Sequence, residues 1–252
     1  MIPLSISGRQ QIYLAARSQF PNEACGVILN NTKIIALNNL SPTPQHNFLL
    51  PNSIYQMQGV THIWHSHTNG NPNFSLHDIR VALEIGEWDW YLVSITDDTI
   101  ALGDAAEDYL DVRSRCESPY IGRVWRYGWH DCGALVRDFY KQEYNINVPD
   151  FDRKEEYEWQ EAFFRIFTED NLRSIGFVRI EDKNLKKGDL LVMQLQGAPN
   201  PNHVGVVCEI NSGQILFLHH LCDRLSGRDI YGGYWQKHCP AIYRHQALCE
   251  LT

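Results

Sequence analysis

Residues 65–78 read HSHTNGNPNFSLHD, and the spacing within this stretch decides how the first half of the chain is interpreted. One residue separates His65 from His67, so the two side chains point to the same side of an extended strand. After a loop rich in Asn, Gly and Pro, Asp78 falls in the first turn of a predicted helix. Two imidazoles and one carboxylate are a ligand set that zinc accepts while its fourth position stays open for water. The stretch therefore predicts a strand, a loop and a helix, with a candidate metal site where they meet.

An interpretation without a metal is also open for the same residues. The chain holds 11 histidines, so a single His-x-His pair is a weak signal by itself. The run from Ser75 to Asp78 has the form of a capping box, in which a Ser and an acidic residue three positions later bond each other's backbone N–H groups at a helix N-terminus. Capping and metal binding do not exclude each other, and the residues alone leave both open.

The segments around this stretch predict short strands and helices. The predicted elements are a helix over residues 7–20 capped by Ser7, a hairpin of strands 25–29 and 33–37, a strand over 61–64, a helix from Ser75 to about Glu87 and a strand over 89–96. Residues 97–117 are acidic and show no strong periodicity. The boundary between two domains is therefore placed there, with a first domain over residues 1–108 and a second over 109–252.

Cys132 opens an apolar-periodic segment of the second half, in the run WHDCGALV. Asp131 is a natural N-cap for a helix that begins there, and a helix N-terminus lowers the pKa of a thiol and can receive an oxyanion. A thiolate nucleophile needs a His partner for proton transfer. His203 begins one predicted strand, and His219 and His220 end another. The simpler alternative is that Cys132 is a buried helix residue among incidental histidines.

The second half predicts helices first and strands afterwards, which is typical of an α+β domain. The predicted elements are helices over residues 132–144 and 158–174 and strands over 190–194, 203–207 and 214–218. The fold class expected for the whole chain is α+β.

Composition and charge exclude several classes of protein. The net charge of −8 argues against a nucleic-acid binder, which usually has a basic face. No polybasic run, signal peptide or apolar stretch of membrane-spanning length is recognised, so we expect no membrane anchor. The seven cysteines are odd in number and form no Cys-x-x-Cys pair, which argues against a disulfide framework or a structural zinc knuckle.

The first constellation resembles the signature of JAMM (MPN-type) metallopeptidases, in which an upstream Glu precedes His-x-His, seven residues, Ser, two residues and Asp. All five positions are matched, and the resemblance covers roughly residues 1–100. It implies a mixed sheet with flanking helices and zinc-dependent hydrolysis of peptide or isopeptide bonds, with one zinc ion per chain. The resemblance assigns zinc ligands to His65, His67 and Asp78, the catalytic base to Glu23 and an oxyanion donor to Ser75.

The second constellation resembles NlpC-type cell-wall cysteine peptidases, which cut peptides within peptidoglycan stems. It rests on Pro119-Tyr120, Asp131-Cys132, the run Asn-His203-Val-Gly and the run Phe-Leu-His219, over roughly residues 115–245. The chain has Gly-Ala-Leu-Val after the Cys, where the family usually has Ser-Gly-Leu-Val. The resemblance implies a papain-like domain in which helices precede an antiparallel sheet. It assigns the nucleophile to Cys132, the base to His203, the third residue to His219 with His220 as its rival, and a substrate-lining tyrosine to Tyr120.

The order of the two domains resembles the tail assembly protein K family of lambda-like tailed phages, and the run over residues 231–235 adds to that resemblance. It implies phage tail-tip proteins as partners, peptidoglycan peptides as substrate, synthesis in the bacterial cytoplasm and carriage in the virion tail tip to a cell wall. Three functions stay open: a wall hydrolase with two active sites, a protease that processes tail proteins during assembly, and a structural component with vestigial sites. A fourth, an isopeptidase for a ubiquitin-like modifier, fits only the first domain.

Overall fold

The first sheet is built on the hairpin that the sequence predicts. The computed structural model describes residues 4–102, 105–113, 115, 118–150, 166–181 and 184–249. In it, β1 (Cys25–Leu29) and β2 (Lys33–Leu37) pair antiparallel. Asn30 and Asn31 have φ angles of 50° and 61°. A two-residue hairpin turn needs this left-handed conformation, and Asn tolerates it better than most residues. The predicted hairpin is confirmed.

The chain divides into two compact units, residues 1–115 and 116–252. The other elements of the first unit are α1 (Ile6–Gln19), a 3₁₀ turn (Asn52–Gln56), β3 (Val60–His67), α2 (Leu76–Ile85), β4 (Asp89–Ser94), α3 (Asp97–Leu102) and β5 (Ala106–Leu110). The strand order is β2-β1-β3-β4-β5, in which β3 and β4 are parallel and the other pairs antiparallel. The sheet is therefore mixed, as predicted. Helix α2 makes the crossover that a parallel pair requires.

Three features of the first unit differ from the sequence-based expectations. The cap of α1 is Ser5 and not Ser7, because the Ser5 hydroxyl accepts the N–H of Gly8 at 3.1 Å. Strand β3 extends to His67, so both histidines lie in the strand. The predicted domain boundary after residue 108 falls inside β5, which pairs with β4. The extent of the two functional domains stays a prediction.

Trp64 and Gly26 hold the centre of the first sheet together. The fully buried Trp64 indole donates to the carbonyl oxygen of Ile35 at 3.3 Å and lies across Gly26. A Cβ atom at Gly26 would lie 2.0 Å from the same oxygen and 2.7 Å from the indole Nε1. The neighbours of this pair, Cys25 and His65, are opposite each other in the sheet. The close packing at Gly26 therefore fixes the strand that carries the histidines.

The second unit contains a six-stranded antiparallel sheet preceded by helices. Its elements are α4 (Cys132–Tyr144), α5 (Glu169–Ser174), β6 (Phe177–Ile180), β7 (Leu190–Met193), β8 (His203–Asn211), β9 (Gln214–His219), β10 (Gly227–Ile230), α6 (Gly233–Lys237), β11 (Ala241–His245) and α7 (Gln246–Cys249). The strand order is β10-β9-β8-β7-β11-β6. The predicted α+β class is confirmed. Residues 158–165 of the predicted helix over 158–174 lie outside the described residues. Among the helices in the described part of the chain, none combines the length and apolarity of a membrane span.

We predict that Gly26→Ala destabilises the first unit by about 1–3 kcal/mol, because the added methyl group overpacks a rigid backbone oxygen and a buried ring. Chemical denaturation followed by Trp fluorescence measures the free energy of unfolding. Gly227→Ala is the control, because a Cβ atom there meets no heavy atom within 4 Å. A Gly26→Ala variant as stable as the control variant would contradict the prediction.

Candidate functional site

Three side chains of the first unit converge where β3 ends and α2 begins. His65 Nε2 lies 3.5 Å from Asp78 Oδ1, and His67 Nε2 lies 3.3 Å from Asp78 Oδ2. The two Nε2 atoms are 3.3 Å apart. All three residues are buried, and within the described residues they form a His/Asp group whose ligand atoms lie within 4.8 Å of one another. The structure thus brings the three predicted ligands together as a candidate metal centre.

Contacts behind the two histidines orient their rings. His67 Nδ1 lies 3.2 Å from the carbonyl oxygen of Asn71 and donates to it, so Nε2 is the nitrogen that faces Asp78. The His65 ring stacks on Phe48 at 4.3 Å and meets the edges of Phe74 and Trp90. Fixed imidazole nitrogens beside a buried carboxylate fit the ligand set of a divalent metal ion. No sequence pattern indicates these aromatic neighbours, because long-range packing brings them to the site.

Ser75 and Asp78 form the capping box of α2 and also take part in the metal centre. Asp78 N–H donates to Ser75 Oγ at 3.1 Å, and Ser75 N–H donates to Asp78 Oδ2 at 2.9 Å. The Ser75 hydroxyl donates to the same Oδ2 at 2.6 Å. The two interpretations of this motif therefore coexist in one set of atoms. A Ser75 hydroxyl that donates to Asp78 must rotate before it can donate to an oxyanion.

Burial and neighbouring charges shift the pKa values of the first site. Burial would raise the pKa of Asp78, but the attraction of His65 and hydrogen bonds from His65, His67 and Ser75 hold it well below its usual range. Burial raises the pKa of Glu23 to about 7, against the opposing effect of His67. Glu23 lines the same cavity of about 310 Å³ as His67, Ser75 and Asp78. A carboxyl group with this pKa suits proton transfer near neutral pH.

Cys132 is the first residue of α4 in the second unit. The N-cap Asp131 accepts the N–H of Ala134 at 2.9 Å and the N–H of Gly128 at 2.7 Å, so the predicted cap is present. Cys132 is buried and packs with Val204 and Leu218, the residues next to His203 and His219.

The direction of α4 places Cys132 near the start of β8. Gly133, near the start of the helix, lines a cavity with Val204, whereas Glu143, near its end, lines a groove with Cys208. Cys132 therefore lies at the His203 end of this interface. A hydrogen bond between Cys132 and His203 stays a prediction.

His203 and His219 are in contact. His203 Nε2 lies 3.2 Å from His219 Nδ1, and His219 Nε2 lies 3.2 Å from Asp229 Oδ2. His220 Nε2 instead lies 2.9 Å from the carbonyl oxygen of Arg224. Of the two rivals for the third position, the geometry favours His219. No sequence pattern indicates Asp229, because its strand lacks a recognisable alternation of apolar and polar residues.

Burial lowers the pKa of His203 to about 3, and the nearby His219 and His220 lower it further than burial alone. His203 is therefore neutral at neutral pH, which is the state that a general base requires.

Tyr120 lies away from Cys132. Its hydroxyl donates to Glu143 Oε1 at 3.3 Å, and its ring packs on Phe139 at 5.6 Å. Glu143 is eleven residues along α4 from Cys132, or about 16 Å at 1.5 Å per residue. The structure does not bring the Tyr120 hydroxyl to the Cys132 end of the helix. Tyr120 instead lines a groove of about 430 Å³ with Lys187 and other residues.

The fold and the two sites define a protein in which a JAB-type domain precedes an NlpC/P60-type domain. Residues 6–105 match the model described as prokaryotic homologs of the JAB domain. Residues 122–244 match the NlpC/P60 family. The matches confirm the two predicted domain types in their predicted order.

Two relatives extend this match over most of the chain. The tail tip assembly protein K of Escherichia phage N15 is 30% identical over 238 residues, which cover 92% of this chain and 91% of that protein. The tail tip assembly protein K of Escherichia phage lambda is 30% identical over 193 residues, 76% of this chain and 85% of that protein. The chain belongs to the family of phage tail tip assembly proteins K. The solution structure of protein DSY2949 from Desulfitobacterium hafniense is 22% identical with a TM-score of 0.31, over 42% of this chain and 80% of that one.

We predict that the His203→Gln variant has a shallower dependence of stability on pH than the wild type. His203 has a pKa of about 3 in the folded protein against an ordinary 6.5. Between these values the unfolded chain binds one more proton, so the wild type loses about 1.4 kcal/mol of stability per pH unit as pH falls below 6.5. Urea unfolding between pH 4.5 and 7 measures the difference between the two slopes.

Val204→Ala is the matched control for this measurement, because it removes buried volume from the same strand without removing a titrating group. We expect its stability curve to run parallel to that of the wild type. A His203→Gln curve that is also parallel would contradict the buried neutral state of His203.

Proposed function

We propose that this tail tip assembly protein is a peptidase with two active sites, a cysteine site and a zinc site. The cysteine site hydrolyses peptide bonds of bacterial peptidoglycan, and the zinc site hydrolyses a peptide or isopeptide bond. The proposal rests on one observation. Each of the two domains matches a peptidase family, and each holds its own converging set of buried polar side chains. These are His65, His67 and Asp78 in the first unit and His203 with His219 in the second.

In the cysteine site, Cys132 is the nucleophile and His203 is the general base. His203 takes the thiol proton, and the thiolate forms a bond to the scissile carbonyl carbon. His203 then gives the proton to the leaving amine as the C–N bond breaks. Water then attacks the acyl carbonyl carbon while His203 takes its proton. The C–S bond breaks, and His203 returns the proton to the released thiol. His219 orients His203 through the bond between their rings.

In the first unit, His65, His67 and Asp78 would hold the zinc ion, one per chain. A bound zinc ion supplies Lewis acidity that activates water for hydrolysis. Glu23 takes a proton from the attacking water on its carboxylate and passes it to the leaving amine, a task that suits its raised pKa. Ser75 donates its hydroxyl to the oxyanion after rotating away from Asp78.

The family sets the proposed partners and location. The chain is made in the host cytoplasm, binds other phage tail-tip proteins, and reaches the cell wall with the virion. A second candidate function, the processing of tail proteins during assembly, is favoured by the word assembly in the names of both relatives.

We predict that the protein binds about one zinc ion per chain and that Ser75→Ala weakens this binding about 10- to 100-fold. The substitution removes two hydrogen bonds between Ser75 and Asp78, so the ligand carboxylate loses its orientation. Competition with a chelating dye measures the affinity, and elemental analysis measures the content. The His65→Ala/His67→Ala double variant should bind no zinc at this site.

Ser5→Ala is the matched control, because Ser5 caps α1 in the same unit through the same type of hydrogen bond. Both cap variants should lose about 1 kcal/mol of stability. Only Ser75→Ala should lose zinc affinity. Equal zinc affinities in the two variants would contradict the role of Ser75, and a wild type without zinc affinity would contradict the zinc site.

The proposed substrate is tested by digesting purified peptidoglycan with the wild type, Cys132→Ala and His65→Ala, and identifying the fragments by mass spectrometry. We expect wild-type fragments cut within the stem peptides, and loss of at least about 1,000-fold in rate for Cys132→Ala because the nucleophile is absent. Fragments that depend on His65 would assign a wall bond to the zinc site. Intact peptidoglycan, together with cleavage of tail-tip proteins, would instead support processing during assembly.

A further inference from the structure

The hydrogen bonds of the cysteine site continue past His219 to Asp229. Asp229 lies on β10 directly opposite Phe217 on β9, so its side chain is on the same face of the sheet as His219. Asp229 Oδ2 reaches across the diagonal of the strand pair to within 3.2 Å of His219 Nε2. The neighbouring cation Arg228 pairs with Glu209 at 2.8 Å. The carboxylate of Asp229 is therefore directed at the histidine.

Two aromatic rings hold His219 in place. The Phe217 ring lies 4.8 Å from the His219 ring, and the Trp235 ring lies 4.7 Å away at an interplanar angle of 71°. The His219 side chain is only 6% exposed. Packed in this way, its two ring nitrogens have different partners, with Nδ1 facing His203 and Nε2 facing Asp229.

The chemistry of these partners decides where the protons are. An ionised carboxylate only accepts hydrogen bonds, so the bond to Asp229 requires a proton on His219 Nε2. In a neutral imidazole the other nitrogen is then an acceptor, and His219 Nδ1 accepts from His203 Nε2–H. A neutral His203 with its proton on Nε2 has its lone pair on Nδ1. That nitrogen is then able to accept a proton from a thiol.

We propose that Asp229 is a positioning residue that fixes the tautomers of both His219 and His203, so that His203 Nδ1 is the basic atom of the site. The proposal rests on the proposed cysteine peptidase function. The Asp229 side chain is 49% exposed, so its hydrogen bond to His219 contributes little to stability. The effect of Asp229 is therefore expected in the protonation of the two rings and in the reactivity of Cys132, more than in the stability of the fold.

The test is nitrogen-15 NMR of protein labelled in its histidine rings, with resonances assigned by the His203→Gln and His219→Gln variants. In the wild type at neutral pH, we expect both rings to be neutral with the proton on Nε2. In Asp229→Ala, His219 should become a mixture of tautomers. Asp229→Asn should restore the Nε2–H form, because its side-chain oxygen still accepts a hydrogen bond.

Asp223→Asn is the matched control, because it removes one exposed acidic charge from the loop between β9 and β10. Its ring spectra should equal those of the wild type. Tautomers of His219 that stay unchanged in Asp229→Ala would overturn the proposal, even if that variant is less stable.

A second measurement follows the thiol. The rate of Cys132 alkylation by iodoacetamide at neutral pH should fall about 10- to 100-fold in Asp229→Ala and recover in part in Asp229→Asn. An unchanged rate would contradict the proposal. A wild type that cuts no peptide but shows these tautomer changes would defeat the proposed activity and leave the role of Asp229 standing.

Discussion

The parallel pairing of β3 with β4 is the constraint on which the first site depends. A parallel pair needs a crossover, and α2 provides it. The crossover leaves the carboxyl end of β3 through a loop of eight residues, 68–75, and brings the first turn of α2 back beside His65 and His67. Asp78 therefore reaches the two histidines, although ten residues separate it from the nearer one in the sequence. An antiparallel hairpin at this point would have placed the same loop at an edge and left the carboxylate elsewhere.

The second site depends on antiparallel pairing instead. Strands β8 and β9 form a hairpin, so the start of one lies beside the end of the other, and Gly205 is opposite His219. Gly205 has no side chain between the two histidines, and a Cβ atom there would lie 2.6 Å from Phe217. The Phe217 ring occupies the space beside Gly205 and packs on His219 at 4.8 Å, and His219 contacts His203 along the diagonal of the strand pair. The glycine of the run Asn-His203-Val-Gly therefore has a role in building the site.

The sequence predicts the features that rest on local signals. The limits of α4 follow from the cap Asp131 and the left-handed Asn145 at its end, and the hairpin turn follows from two Asn residues. The metal ligands follow from a motif whose members a single crossover brings together. Features that rest on long-range contacts were missed. Strand β10 is recognised as a strand only by its pairing with β9, so no local sequence pattern indicates Asp229. The role of Tyr120 was carried over from the resemblance, and a match along the sequence does not specify which end of a helix a preceding segment approaches.

Burial acts on histidines in both units, but the carboxylate of each site acts on them differently. Burial lowers the pKa of His65 and of His203. In the first site, however, Asp78 touches the Nε2 atoms that face the centre, and against the effect of burial it raises the pKa of His67. A carboxylate in that position attracts either a proton or a metal cation to the lone pair of His67. In the second site, Asp229 bonds His219 Nε2, the nitrogen that does not face His203. Within the bonded series His203–His219–Asp229, the carboxylate therefore does not contact His203 itself. A cation at the first centre would balance its buried carboxylate, whereas the proposed role of the carboxylate in the second site is to set a tautomer.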